Sequence, residues 1–190
     1  MFLGDLQKLL NRVYALDVAY DVRDFLLTDA AVADALDKGG RDTDEKLLIA
    51  EDDDGAEVSL YLEQELVERL TQNNPTARLS SDNLADFWTA FEGVSHFTYY
   101  AWNAARKKSV TLLEMELQAE VDKFIATSLL LLEQGEPPAR GLHQWLFDRP
   151  KLDARLHEPE RERYRRANRY AGRYCARLAP ALARGHLAKR

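Results

Sequence analysis

The sequence predicts a mainly helical α+β protein, and three observations support that fold class. Between residues 46 and 62, two runs of alternating apolar and polar residues flank Asp52-Asp53-Asp54-Gly55, a turn sequence typical of a β-hairpin. Beyond about residue 80, apolar residues recur at helical spacing over two long segments. The 190 residues, 46% of them hydrophobic, are enough for one globular core. We expect a small antiparallel sheet packed on a long helical hairpin, with a basic C-terminal helix.

The segment before the hairpin is predicted to contribute two helices and a third strand. Residues 2–15 place apolar side chains on one side of a helix. Residues 18–26 begin with an alternation in which Val18, Tyr20 and Val22 would share one side of a strand, and we predict a strand there. So short a window also fits a helix. A short alanine-rich helix over residues 30–36 follows, with Thr28 or Asp29 as its cap. The extra strand would enlarge the hairpin into a sheet that can bury one face.

Two long helices form the predicted helical hairpin. The first is capped by Ser80, Ser81 or Asp82 and reaches the basic turn at residues 106–108. The second begins with the capping-box pattern Thr111-Leu112-Leu113-Glu114 and continues for about six turns. Antiparallel packing of these two helices would bring their polar margins together.

Shorter helices are predicted around this hairpin. One follows the β-hairpin directly, over residues 63–70. A short element holds residues 145–147, and the last helix covers residues 159–178, where Pro180 would end it. This last helix is basic.

Charge divides the chain into two predicted parts. Residues 1–147 carry 13 basic and 27 acidic side chains, whereas residues 148–190 carry 13 and 5. The net charges are therefore −14 and +8, within a total of −6. We predict an acidic α+β core domain over residues 1–147 and a basic helical segment over residues 148–190 that packs on it. The alternative is that the basic segment binds an external polyanion.

The last helix carries arginines and tyrosines on one face. Arginine pairs bidentately with phosphates and carboxylates, and tyrosine stacks on bases or guanidinium groups. The face therefore predicts contact with a polyanion or a protein partner, although the same groups would also suit acidic side chains of the chain itself. Its six residues are Arg163, Arg166, Tyr170, Arg173, Tyr174 and Arg177.

Carboxylates and one imidazole are predicted to lie along the helical hairpin. Glu92 and His96 are four residues apart on the first helix and can touch. Glu114, Glu116 and Glu120 lie on the second helix, and together the five residues offer oxygen and nitrogen ligands for a divalent metal ion. Such a site would activate water for hydrolysis, with Glu92, His96 and Glu120 as the catalytic group.

A purely structural interpretation of the same residues stays open. Glu114 would serve the cap of its helix, Glu92 and His96 would form a pair on a helix surface, and Glu120 would pair with Lys123. No His-Glu-x-x-His motif supports a metal site, and the Glu-x-x-x-His spacing differs from the Glu-x-x-His of di-iron bundles.

Other nucleophiles and histidines are predicted to be structural. Cys175 lies on a helix with no histidine nearby, and we expect a small buried apolar group. His143, His157 and His186 are isolated in the sequence and are expected at the surface. No Gly-x-Ser-x-Gly, P-loop or Gly-x-Gly-x-x-Gly motif is present, which disfavours the familiar nucleotide chemistry.

Together these observations favour a binding or regulatory protein over an enzyme. A single cysteine, no basic leader and no long apolar run predict a soluble, cytoplasmic chain that does not enter a membrane. The expected partner is a protein or a second copy of the chain, contacted through the polar strip of the hairpin or the last helix. A metal-dependent hydrolase is the first alternative. A nucleic-acid-binding protein is the second, and the overall acidity counts against it.

Overall fold

The structure is a computed structural model that describes residues 2–37, 43–51, 55–136, 141–148 and 156–183. It contains two compact units, Met1–Arg106 and Lys107–Arg190. Helices dominate, and a small three-stranded sheet packs against them, which confirms the predicted mainly helical α+β class. These two units separate in the turn between the two long helices. The predicted division of the chain at residue 147, into an acidic core domain and a basic segment, stays a prediction.

Unit 1 holds the sheet and most of the aromatic core. Helices α1 (Phe2–Tyr14) and α3 (Gln64–Gln72) and the two hairpin strands all pack against the long helix α4 (Leu84–Ala104). The elements of unit 1 are helix α1 (Phe2–Tyr14), a 3-10 helix (Val22–Phe25), strand β1 (Leu26–Leu27), helix α2 (Ala30–Asp37), strands β2 (Glu45–Glu51) and β3 (Ala56–Leu62), and helices α3 (Gln64–Gln72) and α4 (Leu84–Ala104).

The predicted β-hairpin forms, but the sheet is mixed. Strands β2 and β3 pair antiparallel, with Leu47 opposite Leu60. Strand β1 pairs parallel with β3, with Leu26 opposite Leu60, so the strand order is β1-β3-β2. The expectation of a wholly antiparallel sheet is therefore wrong for its third strand. The acidic turn at residues 52–54 lies outside the described residues.

The predicted strand near residues 18–26 is confined to its end. Residues 18–20 form no strand, because the Gln7 side chain occupies the backbone groups that a neighbouring strand would need. Its amide donates to the Tyr20 carbonyl at 2.8 Å, and its oxygen accepts from the Val22 amide at 3.0 Å. The fully buried Val22 starts a 3-10 helix instead, and strand pairing begins only at Leu26.

Helix α4 is the central element of unit 1. It begins after Asn83, so none of the predicted caps serves it. The Asn83 side chain accepts from the Ser80 amide and donates to carbonyls of the preceding loop, and these bonds hold the entry to the helix. Phe87, Phe91 and Phe97 are almost completely buried, on more than one side of the helix. The side of this helix that carries His96 is therefore also partly buried, and His96 itself is only 6% exposed.

Unit 2 is entirely helical in the residues described. Its elements are α5 (Leu112–Glu133), α6 (Leu142–Phe147) and α7 (Glu158–Ala183). The predicted capping box starts α5: the Thr111 hydroxyl accepts from the Glu114 amide, and the Glu114 carboxylate accepts from the Thr111 amide at 2.8 Å. This confirms both the start of the helix and the predicted structural role of Glu114.

Helix α7 packs on α5 through small side chains. Ala167, Ala171 and Cys175 are 0% exposed, and their spacing of four residues puts them on one side of the helix. The predicted end at Pro180 is wrong, because α7 continues to Ala183. Proline costs only one helical hydrogen bond there, near the end of the helix, while burial of Leu182 stabilises the last turn.

Candidate functional site

In unit 1, His96 is buried beside a glutamate that lies far away in the sequence. Its Nδ1 lies 3.5 Å from Oε1 of Glu45, the first residue of β2, and the two side chains are 8% and 14% exposed. Sequence reasoning missed Glu45. Side chains alternate along a strand, so Glu45 and Glu51 lie on the same face as Leu47 and Ile49. That pattern could have predicted that both acids face the helix on which the strand packs.

Glycine 93 allows this close approach. A Cβ added at Gly93 would lie 2.9 Å from Cγ and 3.0 Å from Oε1 of Glu45, and 2.6 Å from the buried Leu60 side chain. Strand β2 can therefore place a carboxylate directly over the backbone of α4, between the turns that carry Glu92 and His96. Because Gly93 has no side chain, Glu45 can reach His96.

Glu92 is the second acid of this group. One of its carboxylate oxygens lies within 4.8 Å of a ring nitrogen of His96, as expected for residues four apart on a helix. Unit 1 thus groups two carboxylates and one imidazole from two elements of structure, α4 and β2. We call Glu45, Glu92 and His96 the Glu/His group.

One helical turn beyond His96, a second contact joins α4 to β2. The Tyr100 hydroxyl donates to Oε1 of Glu51 at 2.7 Å. Burial, together with this hydrogen bond to an acid, raises the pKa of Tyr100 to about 12. The two ends of β2 therefore each direct a glutamate to the same helix, one to a histidine and one to a tyrosine.

The acids predicted on the second helix are engaged inside unit 2. Glu114 belongs to the capping box, and its bonds to Thr111 lower its pKa. Glu116 lies 3.5 Å from Nε of Arg163 on α7. Glu120 accepts from Lys123 at 2.7 Å, which confirms that predicted pair, and lies 3.5 Å from the amide of Asn168. The predicted metal-ligand set that combines these acids with Glu92 and His96 stays a prediction.

The second candidate site is the outer face of α7. Arg166, Arg173 and Arg177 are exposed, and the rings of Tyr170 and Tyr174 are 40% and 53% exposed. We call these five residues the arginine–tyrosine strip. Their exposure contrasts with the complete burial of Ala167, Ala171 and Cys175, on the side of α7 that packs on α5.

Within the strip, Tyr170 contacts two arginines of its own helix. The Tyr170 hydroxyl accepts hydrogen bonds from Arg169 and Arg166, which lower its pKa, and the Arg169 guanidinium lies 5.4 Å from the Tyr170 ring centroid. The sixth residue of the predicted face behaves differently. Arg163 turns toward Glu116 on α5 and is only 22% exposed, so it contributes to the packing of unit 2.

The remaining predictions about reactive residues have mixed outcomes. Cys175 is buried, as predicted, and burial with nearby acids raises the pKa of its thiol to about 12. His157 is exposed, as predicted, whereas the surface prediction for His143 is wrong. The half-buried His143 ring contacts the Gly172 carbonyl at 2.7 Å and packs against Phe147. His186 lies outside the described residues.

Comparison with known proteins gives no match to a protein family, to a curated protein or to a solved structure. Among the described residues, no helix combines the length and the apolar character needed to cross a membrane.

Proposed function

We propose that this is a binding protein whose contact surface is the arginine–tyrosine strip, and that the partner is a single-stranded nucleic acid. The observation that carries the proposal is the division of α7 into two faces. Small buried residues pack on α5, while guanidinium groups and phenol rings face outward. Exposed aromatic rings among arginines suit a ligand with both phosphates and bases.

The charge of α7 supports an anionic partner. From residue 163 to residue 183 the sequence contains six arginines and no aspartate or glutamate. The acids of the helix lie at its start, and two of them, Glu158 and Glu162, contact Arg165 at 2.8 and 3.9 Å. The local positive field of the strip is therefore not neutralised by its own helix.

The spacing of the strip supports an extended ligand. Residues four apart on a helix are separated by about 6 Å along its axis. This spacing relates Arg166 to Tyr170, Tyr170 to Tyr174, and Arg173 to Arg177, so cationic and aromatic groups follow one another turn by turn. A single strand with unpaired bases can use both kinds of group, whereas an acidic peptide would use only the arginines.

Fluorescence anisotropy with a labelled single-stranded oligonucleotide tests this proposal. We expect binding in the micromolar range at 50 mM salt. Because three arginines release about two counterions, affinity should fall roughly tenfold to twentyfold at 200 mM salt. The triple variant Arg166→Gln, Arg173→Gln, Arg177→Gln should lose binding, and Tyr170→Ala with Tyr174→Ala should weaken it at every salt concentration.

Arg165→Gln is the matched control, because this arginine lies on the same helix but is already paired with acids. It should bind like the wild type. No anisotropy change at 50 mM salt with tens of micromolar protein would contradict the proposal. Binding of polyglutamate in place of the oligonucleotide would assign the strip to an acidic peptide and would contradict the nucleic-acid part.

A metal-dependent hydrolase is the second candidate function, favoured by the Glu/His group of unit 1. A divalent ion held there would lower the pKa of a bound water, and a neighbouring carboxylate would accept its proton. Hydrolysis of simple p-nitrophenyl esters and phosphate esters with added zinc or manganese tests this candidate. Activity that requires metal and is lost in His96→Ala supports it, and equal activity in the variant contradicts it.

A further inference from the structure

We propose that the outer edge of strand β2 binds an extended peptide of another protein, one whose apolar centre is flanked by basic residues. The bound peptide would add a fourth strand to the sheet of unit 1. Unit 1 would make this contact independently of the arginine–tyrosine strip, which belongs to unit 2. Three properties of β2 support it: the direction of its backbone groups, its exposure and its charge.

Strand β2 has a partner strand on one side only. The strand order is β1-β3-β2, and all seven residues of β2 pair with β3. The backbone groups on the other side of such an edge strand are a template for one more strand. The candidate surface is therefore a row of hydrogen-bonding groups.

The register identifies the backbone groups that point away from β3. The Glu63 amide donates to the Asp44 carbonyl at 2.9 Å, one position before the first pair of the hairpin. Hydrogen-bonded pairs alternate with non-bonded pairs along an antiparallel ladder, so the even-numbered residues of β2 bond to β3. The amides and carbonyls of Leu47 and Ile49 therefore point outward.

These outward groups are open in the part of the chain that the structure describes. At the start of the strand, the Glu45 carbonyl accepts from the Thr43 hydroxyl at 2.9 Å. Among the described residues, no backbone bond of this kind is made outside the ladder by Leu47 or Ile49. Exposure also rises along the strand, from the half-buried Leu47 to Ile49, which is 36% exposed. An extended peptide can pair here without displacing an existing hydrogen bond.

Charge favours a basic partner. Asp44, just before β2, and Glu51, its last residue, are both exposed. The bond from Tyr100 leaves Glu51 ionised, because the phenol is the donor. The lysine of the strand, Lys46, is held by two aspartates of α2 at 3.3 and 3.0 Å. Opposite charges on facing strands attract and like charges repel, so basic ends favour a peptide, whereas a second copy of this acidic strand is disfavoured.

Fluorescence anisotropy tests this proposal with the full chain and a labelled peptide in which two lysines flank each side of a Val-Thr-Val-Thr-Val centre. We expect saturable binding in the micromolar range. The same peptide N-methylated throughout its centre keeps its charge but cannot donate, and its affinity should fall at least about tenfold. Glutamates in place of the lysines should also weaken binding. No binding, or equal affinity of the plain and N-methylated peptides, would overturn the proposal.

Ile49→Pro tests the strand itself. Proline removes the outward amide proton of residue 49 and no bond to β3, so peptide affinity should fall about fivefold to tenfold. Ile49→Ala is the matched control, because it shortens the side chain but keeps the amide, and it should bind like wild type. Circular dichroism and the melting temperature show whether each variant is folded. Equal affinity of folded Ile49→Pro and wild type would contradict pairing at this edge.

Amide hydrogen exchange of the wild type, measured by nuclear magnetic resonance, needs no variant. The amides of Leu47 and Ile49 should exchange rapidly in the free protein and become protected with peptide, while those of Leu48 and Ala50 stay protected in both states. Protection of Ile49 in the free protein would show that the edge is already covered and would overturn the proposal. A dimer that is lost in Ile49→Pro would assign the edge to a second copy and would overturn it as well.

Discussion

The carboxylate of Glu45 lies directly over Gly93. Strand β2 can approach helix α4 this closely because Gly93 has no side chain. A Cβ at this position would meet Glu45 at 2.9 Å and the fully buried Leu60 at 2.6 Å. Both distances are shorter than van der Waals contact. The geometry of the Glu/His group and the packing of β3 on α4 therefore depend on the same glycine.

Gly93→Ala is expected to destabilise the protein by about 1–3 kcal/mol, the usual cost of overpacking a core. Leu60 cannot move aside without disturbing the sheet, since it pairs with both neighbouring strands. Urea unfolding followed by circular dichroism measures the change. Gly55→Ala is the control, because nothing lies within 4 Å of a Cβ there, and its stability should stay within about 0.5 kcal/mol of wild type. Equal stability of Gly93→Ala and wild type would contradict the close approach.

Tyr100→Phe is expected to cost about 1 kcal/mol at neutral pH, because it removes the 2.7 Å hydrogen bond to Glu51. The cost should depend on pH. The pKa of Tyr100 is raised in the folded protein from 10.0 to about 12. Its contribution to the free energy of unfolding is therefore fully present below pH 10 and is lost as the pH rises toward 12.

Urea unfolding of wild type and Tyr100→Phe at pH 7, 9 and 10.5 checks this pH dependence. The difference in the free energy of unfolding between the two proteins should be the same at the two lower pH values and smaller at the highest pH. Tyr20→Phe, at an exposed side chain, serves as the control and should cost little at any pH. A difference that grows with pH would show that the sign is wrong.

Thr111→Ala is expected to destabilise helix α5 by about 1 kcal/mol, since it removes the oxygen that accepts from the Glu114 amide. Thr111→Ser keeps that oxygen and should recover most of the loss. Thermal or urea unfolding of the three proteins provides the comparison. If the alanine and serine variants were equally stable, the capping box would not contribute to the folded state.

Cys175 is expected to be inert toward thiol reagents in the folded protein. It is 0% exposed, and its raised pKa keeps the thiol protonated at neutral pH, whereas the thiolate is the reactive form. A thiol assay should detect no label in native protein and one per chain in guanidinium. Ala176→Cys in a Cys175→Ser background is the control, since residue 176 is exposed and should react rapidly. Rapid labelling of native wild type would contradict the burial of α7 on α5.

Local patterns predicted the parts of the fold that depend on neighbouring residues. The capping box at Thr111, the hairpin and the basic outer face of α7 all follow from interactions within a few positions of the chain. Such interactions are encoded in short stretches, so they can be recognised without knowing the fold. The acid and imidazole of α4 were found for the same reason, because Glu92 and His96 are one helical turn apart.

Packing between distant segments decided the rest. The alternation after residue 18 reads as a strand, yet Gln7 takes the hydrogen bonds that a strand would need, and β1 forms further along the chain. Glu45 meets His96 only because β2 crosses the bare backbone at Gly93. Residue spacing does not predict a contact between residues fifty positions apart. Such contacts form only when the sheet packs on the buried phenylalanines of α4.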